Sequence, residues 1–209
     1  MKKYLVLIVL FVLPLVAYLF FASGINNFAK LPVLTNNIKN LERLTNQTFN
    51  NKISILIFMG SEIGLREGDA LNLNQKIYKR FYQFKDFQFI SISPIGNEKK
   101  SSLLKEKLSS GTNTDMKNWS FIHLSNDDVI SLFKSLDTSL ELDEYLGSPF
   151  AFIIDKYSSL RGRDDSDGIK FGYDSRSVAD INNNMLDDVK IILAEYRLAL
   201  KKNNIFNEK

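Results

Sequence analysis

Apolar positions along this chain follow three different rhythms, and each predicts a different kind of element. Behind Met1-Lys2-Lys3 they run almost without a break from Tyr4 to Ala22, with Pro14 inside the run. At about 1.5 Å per residue, a helix of that length nearly crosses a hydrocarbon core of about 30 Å. A cleaved signal peptide usually has a shorter apolar stretch of about 7–15 residues, and Phe21-Ala22-Ser23-Gly24 is a poor small-x-small cleavage site. The expectation is therefore a retained anchor over 1–24. Lys2 and Lys3 favour a cytoplasmic amino end, a bias weakened by Lys30, Lys39 and Arg43 beyond the span. The rest of the chain is then expected outside the cytoplasm, in the periplasm if the source is a bacterium.

The second rhythm is the short, nearly continuous apolar or β-branched run that marks a strand covered on both faces. Four such runs occur: 52–58, 87–92, 119–124 and 149–155. The third is helical. Leu71, Leu73, Ile77, Phe81 and Phe84 give one apolar side to a helix reaching about Phe84. A charged helix with Leu103, Leu104 and Leu108 follows the second strand and ends near Gly111. Ser125-Asn126-Asp127-Asp128 matches a capping box opening a helix with Val129, Leu132, Phe133 and Leu136. Ser177 and Asp180 match another, opening a long helix through Ile181, Met185, Val189, Ile192 and Tyr196. Between them, Asp167-Gly168 is a favoured hairpin-turn dipeptide.

The stretch 25–50 is Asn-rich and weakly periodic, and reads as a juxtamembrane linker with a short strand or two. A folded domain is expected over 51–202, with a tail at 203–209. Its order is strand, helix, strand, helix, strand, helix, strand, hairpin, helix. Alternating βα units imply a parallel core sheet covered by helices, with an antiparallel edge supplied by the hairpin.

Composition narrows the chemistry. The 209 residues include 44% hydrophobic and 24% charged side chains, enough for a core and too mixed for a disordered chain. Net charge is +3, from 27 basic and 24 acidic residues, so nothing points to a nucleic-acid partner. There is no cysteine and one histidine. Thiol nucleophiles, disulfides, thiolate-bound metals and lipid-modified cysteine are excluded outright.

Two stretches resemble a known family. Ser148-Pro149-Phe150-Ala151-Phe152-Ile153-Ile154-Asp155 is similar to the proline–strand–Asp segment of thioredoxin-like proteins. Phe87 to Pro94, Trp119 to Leu124 and Leu160-Arg161-Gly162 together resemble the Sco/SenC branch, over roughly residues 30–200. The resemblance implies an α/β thioredoxin-like fold, a central mixed sheet flanked by helices, behind one N-terminal transmembrane helix. It also implies a cis peptide at Pro149, facing the active loop. Sco proteins act in copper delivery to cytochrome oxidase or in thiol redox, through a Cys-x-x-x-Cys loop and a distant histidine. Here the loop positions are occupied by Ser61 and Leu65, and Gly147-Ser148-Pro149-Phe150 carries no histidine. The expectation is a family member without catalytic residues, metal or cofactor.

Other candidates have plainer readings. His123 could act as a base or metal ligand near Ser61 or Glu62, but no triad order or metal spacing supports it, and a strand histidine is preferred. The segment 163–174, with Asp165, Asp167, Gly168 and Asp174, superficially matches a calcium loop, but Arg163 stands first and strands flank it; a solvated turn is preferred. Met59, Met116 and Met185 sit in apolar settings and read as packing. Gly60, Gly64 and Gly68 lack the Gly-Lys-Ser/Thr of a phosphate loop and read as flexibility in the former active loop. Two functions follow from these readings. One is a non-catalytic, membrane-anchored accessory or assembly factor with a protein partner in a membrane complex, such as a respiratory oxidase. The other is an enzyme with unrecognised chemistry on Ser61, Glu62 and His123.

Overall fold

The computed structural model describes residues 2–22, 30–166 and 168–207. Helix α1 spans Lys2–Ala22 with Pro14 inside it, and residues 9–16 expose their side chains. Among the described residues no helix is long and apolar enough to cross a membrane, so the anchor rests on the sequence run alone. Residues 23–29 of the anchor and linker segments, Asp167 of the turn dipeptide, and the last two tail residues lie outside the described residues.

The sheet is built from β1 (Val33–Thr35), β2 (Ile53–Met59), β3 (Phe87–Pro94), β4 (Trp119–Leu124), β5 (Gly147–Ile154) and β6 (Leu160–Arg161), in the order β1-β6-β5-β2-β3-β4. β2, β3 and β4 run parallel, whereas β5 is antiparallel to β2 in the middle of the sheet. The antiparallel half is therefore β5, β6 and β1, with the short β9 (Tyr173–Asp174) pairing β5. The hairpin β7 (Arg163–Asp165) and β8 (Gly168–Lys170) forms its own two-stranded sheet, which corrects the expectation that it would edge the main one. The edge beyond β6 is already taken by β1. The direction of β5 has a separate cause, the connection 135–146. It brings the chain back to the end where β2 finishes, the Ser61 N–H donating to the Tyr145 carbonyl at 2.8 Å, so β5 can only run back along β2.

β2 and β3 are buried along their whole length, because helices cover both faces. Period-two alternation sorts their side chains. Ile53, Ile55, Ile57, Phe87, Phe89, Ala151 and Ile153 point to one cluster; Leu56, Phe58, Ile90, Ile92, Phe152 and Ile154 point to the other. The first is covered by a continuous helical stretch from Ile63 to Phe81, comprising a 3-10 turn, α2 (Glu67–Leu73), a π turn at Asn74–Tyr78 and α3 (Lys79–Phe81). It is also covered by α4 (Glu98–Thr112) and by the carboxy-terminal helix: α6 (Val178–Asp180), a π turn at Ile181–Met185, and α7 (Leu186–Asn207). The second is covered by α5 (Asn126–Lys134) and by Ile38, Leu41 and Phe49. Residues 30–50, within the segment expected as linker, are thus packed on the domain: Leu41 and Phe49 are fully buried, and β1 pairs β6.

Both serines cap their helices, and among the described residues neither has the reciprocal bond of a full capping box. The Ser125 and Ser177 hydroxyls accept from the N–H groups of Asp128 and Asp180. α4 ends at Thr112, beyond the expected Gly111, with Asn113 in the left-handed region and its N–H bonded to Ser109. Trp119 is fully buried; its indole N–H donates to the Ser91 hydroxyl at 2.8 Å, and its ring stacks on Phe121.

Candidate functional site

The chain leaves β2 at Met59 and turns at Gly60, whose φ of +70° is one that side chains resist. A Cβ there would sit 2.6 Å from the Tyr145 carbonyl. This close approach seats the Ser61 loop against the segment that enters β5. Gly64 and Gly68 differ: they lie in helical turns with open space around them, so the flexible loop expected at the three glycines is instead a tight turn followed by helix.

Ser61 is half-buried, with its carbonyl accepting from Lys100 Nζ at 3.3 Å; the same ammonium lies 3.4 Å from Glu62. Leu65 projects into solvent, 61% exposed. Behind them Arg66 donates to Asp143 at 2.6 Å and to Asp69 at 3.4 Å. Asp143 in turn accepts from the N–H groups of Gly147 at 2.8 Å and Tyr145 at 3.0 Å. One carboxylate therefore shapes the entry to β5 and holds the arginine that follows the Ser61 loop. Burial pushes the Asp69 carboxyl up, against the pull of Arg66. Sequence reasoning missed this joint because Arg66 and Asp143 lie 77 positions apart with no periodic signal.

No cis peptide bond occurs among the described residues, so the Ser148–Pro149 bond is trans, a correction to the expectation drawn from the resemblance. Trans is the lower-energy form by about 0.5–1 kcal/mol. The reversal before β5 is made by Leu146, in the left-handed region at φ 60°, and Pro149 continues an extended strand whose carbonyl accepts from Ser175 N–H at 2.8 Å.

His123 sits on β4, opposite Ser93 in register, and its Nε2 lies 3.0 Å from the Ser101 hydroxyl of α4. Lys100 and Ser101 thus stand between the two candidate groups: Lys100 meets Ser61 and Glu62, and Ser101 meets His123. Among the described residues no hydrogen bond joins Ser61, Glu62 and His123 to one another. A Sco-type copper site does not fit here. Ser61 offers a hydroxyl, Leu65 an aliphatic chain, and the start of β5 no imidazole, whereas copper of that kind needs soft thiolates with an imidazole.

The remaining candidates resolve into packing. Met59, Met116 and Met185 are buried in the core. Arg163, first residue of the supposed calcium loop, forms a two-pronged pair with Asp188 at 2.6 and 3.0 Å, and Asp174 is held by Arg176 at 2.8 Å. Tyr173 donates to the same Asp188 at 2.7 Å, and burial pushes its hydroxyl far above its ordinary range. Among the described residues no cluster of three His, Asp or Glu is placed to hold a metal.

No protein-family model matches the sequence, and comparison with curated proteins gives no significant match. Solved structures do match. A SCO1/SenC family lipoprotein from Bacillus anthracis str. Ames is 15% identical, covering 80% of this chain and 96% of its own, with a TM-score of 0.47. BsSco, a member of the Sco family of cytochrome c oxidase assembly proteins, is 14% identical, covering 78% of this chain and 98% of its own, with a TM-score of 0.50. The thioredoxin domain of a thiol-disulfide oxidoreductase from Bacteroides vulgatus is 16% identical over 81% of this chain and 99% of its own, with a TM-score of 0.43. At such identities the likeness carries the fold, and the match to BsSco assigns it: this is an α/β thioredoxin-like fold, a mixed sheet flanked by helices, built like that of a Sco protein.

Proposed function

We propose that the protein is a non-catalytic, membrane-anchored Sco-like factor that works by binding a complex in the same membrane, with a respiratory oxidase as the first candidate. The observation that carries this reading is the exchange of chemistry for apolar surface at the active-loop end. Where Sco proteins place two cysteines, this chain has Ser61 and Leu65. Leu65 is 61% exposed, Ile95 67% and Tyr145 38%, and all three lie at the end of the sheet where β2 and β3 finish and β5 begins. Scattered exposed apolar residues are ordinary, but several at one end of a sheet, on a turn held by Arg66 and Asp143, suit a preformed protein-docking surface. BsSco belongs to a family of cytochrome c oxidase assembly proteins, which directs the search for a partner. The apolar run Tyr4–Ala22 is the proposed tether, and Lys2 and Lys3 favour a domain outside the cytoplasm.

The test is capture of partners from detergent-solubilised native membranes with the tagged full-length protein, read by mass spectrometry, beside a variant carrying Leu65→Asp and Ile95→Asp. Recovery of respiratory oxidase subunits by the parent and their loss in the variant is the expected result. Tight copper binding at a single site, turnover of a small substrate, or capture of the same subunits by both proteins would each count against the reading.

A further inference from the structure

At the end of the sheet opposite Ser61 lies a shallow cavity of about 130 Å³. Ile53, the first residue of β2, lines it, and the seven residues of that strand carry the chain about 20 Å away to the active-loop end. Its floor is Arg161, whose guanidinium donates to Asp155 at 3.0 Å, to Glu195 at 2.7 Å and to the Leu31 carbonyl. Its rim is Lys156, Tyr157 and Tyr196. The Lys156 ammonium lies 4.8 Å from the Tyr157 ring centroid and 5.3 Å from that of Tyr196, and Tyr157 is 69% exposed.

Three features point to what this rim meets. Lysine and tyrosine are side chains with apolar bodies and polar tips, the composition that settles at a membrane–water boundary. The carboxylates facing the cavity, Asp155 and Glu195, are already held by Arg161, whereas Lys156 makes no ion pair among the described residues. Asp86 is the further acidic group beside Tyr196, and exposed Lys30 adds a cation where the chain enters. Finally, Leu31 is fastened to this end, its N–H donating to Glu195 at 2.9 Å. α1 ends at Ala22, nine residues earlier, and nine residues span at most about 30 Å.

We infer that this end of the domain rests on the anionic headgroups of the bilayer holding α1, with Lys156, Tyr157 and Tyr196 at the lipid surface. The inference relies on the anchor proposed above. It turns the Ser61–Leu65 end away from the bilayer, toward the part of a membrane complex that stands out from it.

Because the chain has no cysteine, a single introduced one gives a unique label. The full-length protein is reconstituted into vesicles of phosphatidylcholine and phosphatidylglycerol bearing a nitroxide on a fraction of the headgroups. A fluorophore is placed at Asn50→Cys, next to Lys156 through the Asn51 N–H to Lys156 carbonyl bond, or at Lys99→Cys near the opposite end. Flotation first establishes that the protein is in the vesicles. The expected result is strong quenching at 50 and little at 99, with Lys156→Gln lowering the surface-contact population at 50 by about fivefold while flotation is unchanged. Equal quenching at both sites in floating protein, or indifference to Lys156→Gln, overturns the orientation and leaves the anchor standing. Protein that does not float overturns the anchor and the orientation with it.

Discussion

Arg161 ties three distant stretches together: Leu31 ahead of the sheet, Asp155 at the end of β5 and Glu195 in α7. Its charge is buried but fully engaged, and removing one partner of such a group costs far more than the net worth of the pair. Arg161→Gln leaves two carboxylates without their cation and is expected to destabilise the protein by about 3–5 kcal/mol, measured by denaturant unfolding of the full chain in detergent. Glycines make the opposite comparison. Gly60→Ala forces a Cβ against the Tyr145 carbonyl at a positive φ, and should open the joint between the Ser61 loop and β5 with a loss of at least about 1 kcal/mol. Gly68→Ala in α2 meets open space and should stabilise by about 0.5–1 kcal/mol in the same measurement. Two glycines eight positions apart look alike in sequence, and only the backbone they occupy separates them.

The β7–β8 hairpin is an element held by charge. Its strands are mostly exposed, and they are stapled to the carboxy-terminal helix by Arg163 to Asp188 and by Lys170 to Asp180 at 2.6 Å. Burial pushes the Asp180 carboxyl up, but the bonds from Asn184 and Lys170 and from the Asp174 N–H outweigh it and hold it below its ordinary value. A depressed carboxyl contributes stability above its unfolded value of about 3.9 and loses it as pH falls through the lower folded value. Asp180→Asn should therefore be less stable than the parent at pH 7, and the gap should close as pH falls below about 4, followed by unfolding across a pH series. Hydrogen exchange at pH 7 should show the loss first in β8 and α6.

At the scale of the whole molecule, one sheet serves two cores. β2, β3 and β5 send alternate side chains into each, so neither face can empty without exposing the other. Leu73→Ala on one face and Leu132→Ala on the other should each cost about 2–5 kcal/mol. Trp119 is the single tryptophan and belongs to the first cluster alone. Its fluorescence and far-ultraviolet circular dichroism should nevertheless report coincident transitions in both variants. A Leu132→Ala protein in which the two signals separate would show that the faces unfold independently.

Much of this was written in local pattern. Four apolar runs became β2, β3, β4 and β5 within a few residues: β2 and β3 because strands covered on both faces are largely apolar, and the edge strand β4, only partly buried, because Trp119, Ile122 and Leu124 anchor it. Ser125 and Ser177 announced helix starts, since a cap acts over three residues. The absence of thiol chemistry needed no coordinates, because a chain without cysteine has no thiol. What required the tertiary structure were relations between remote segments. Leu41 and Phe49 have no period of their own and are core only because α5 and the second face of the sheet meet them. The direction of β5 and the joint between Arg66 and Asp143 follow from where the connection 135–146 returns. That path is set by packing and long-range hydrogen bonds, which leave no local trace in the order of residues.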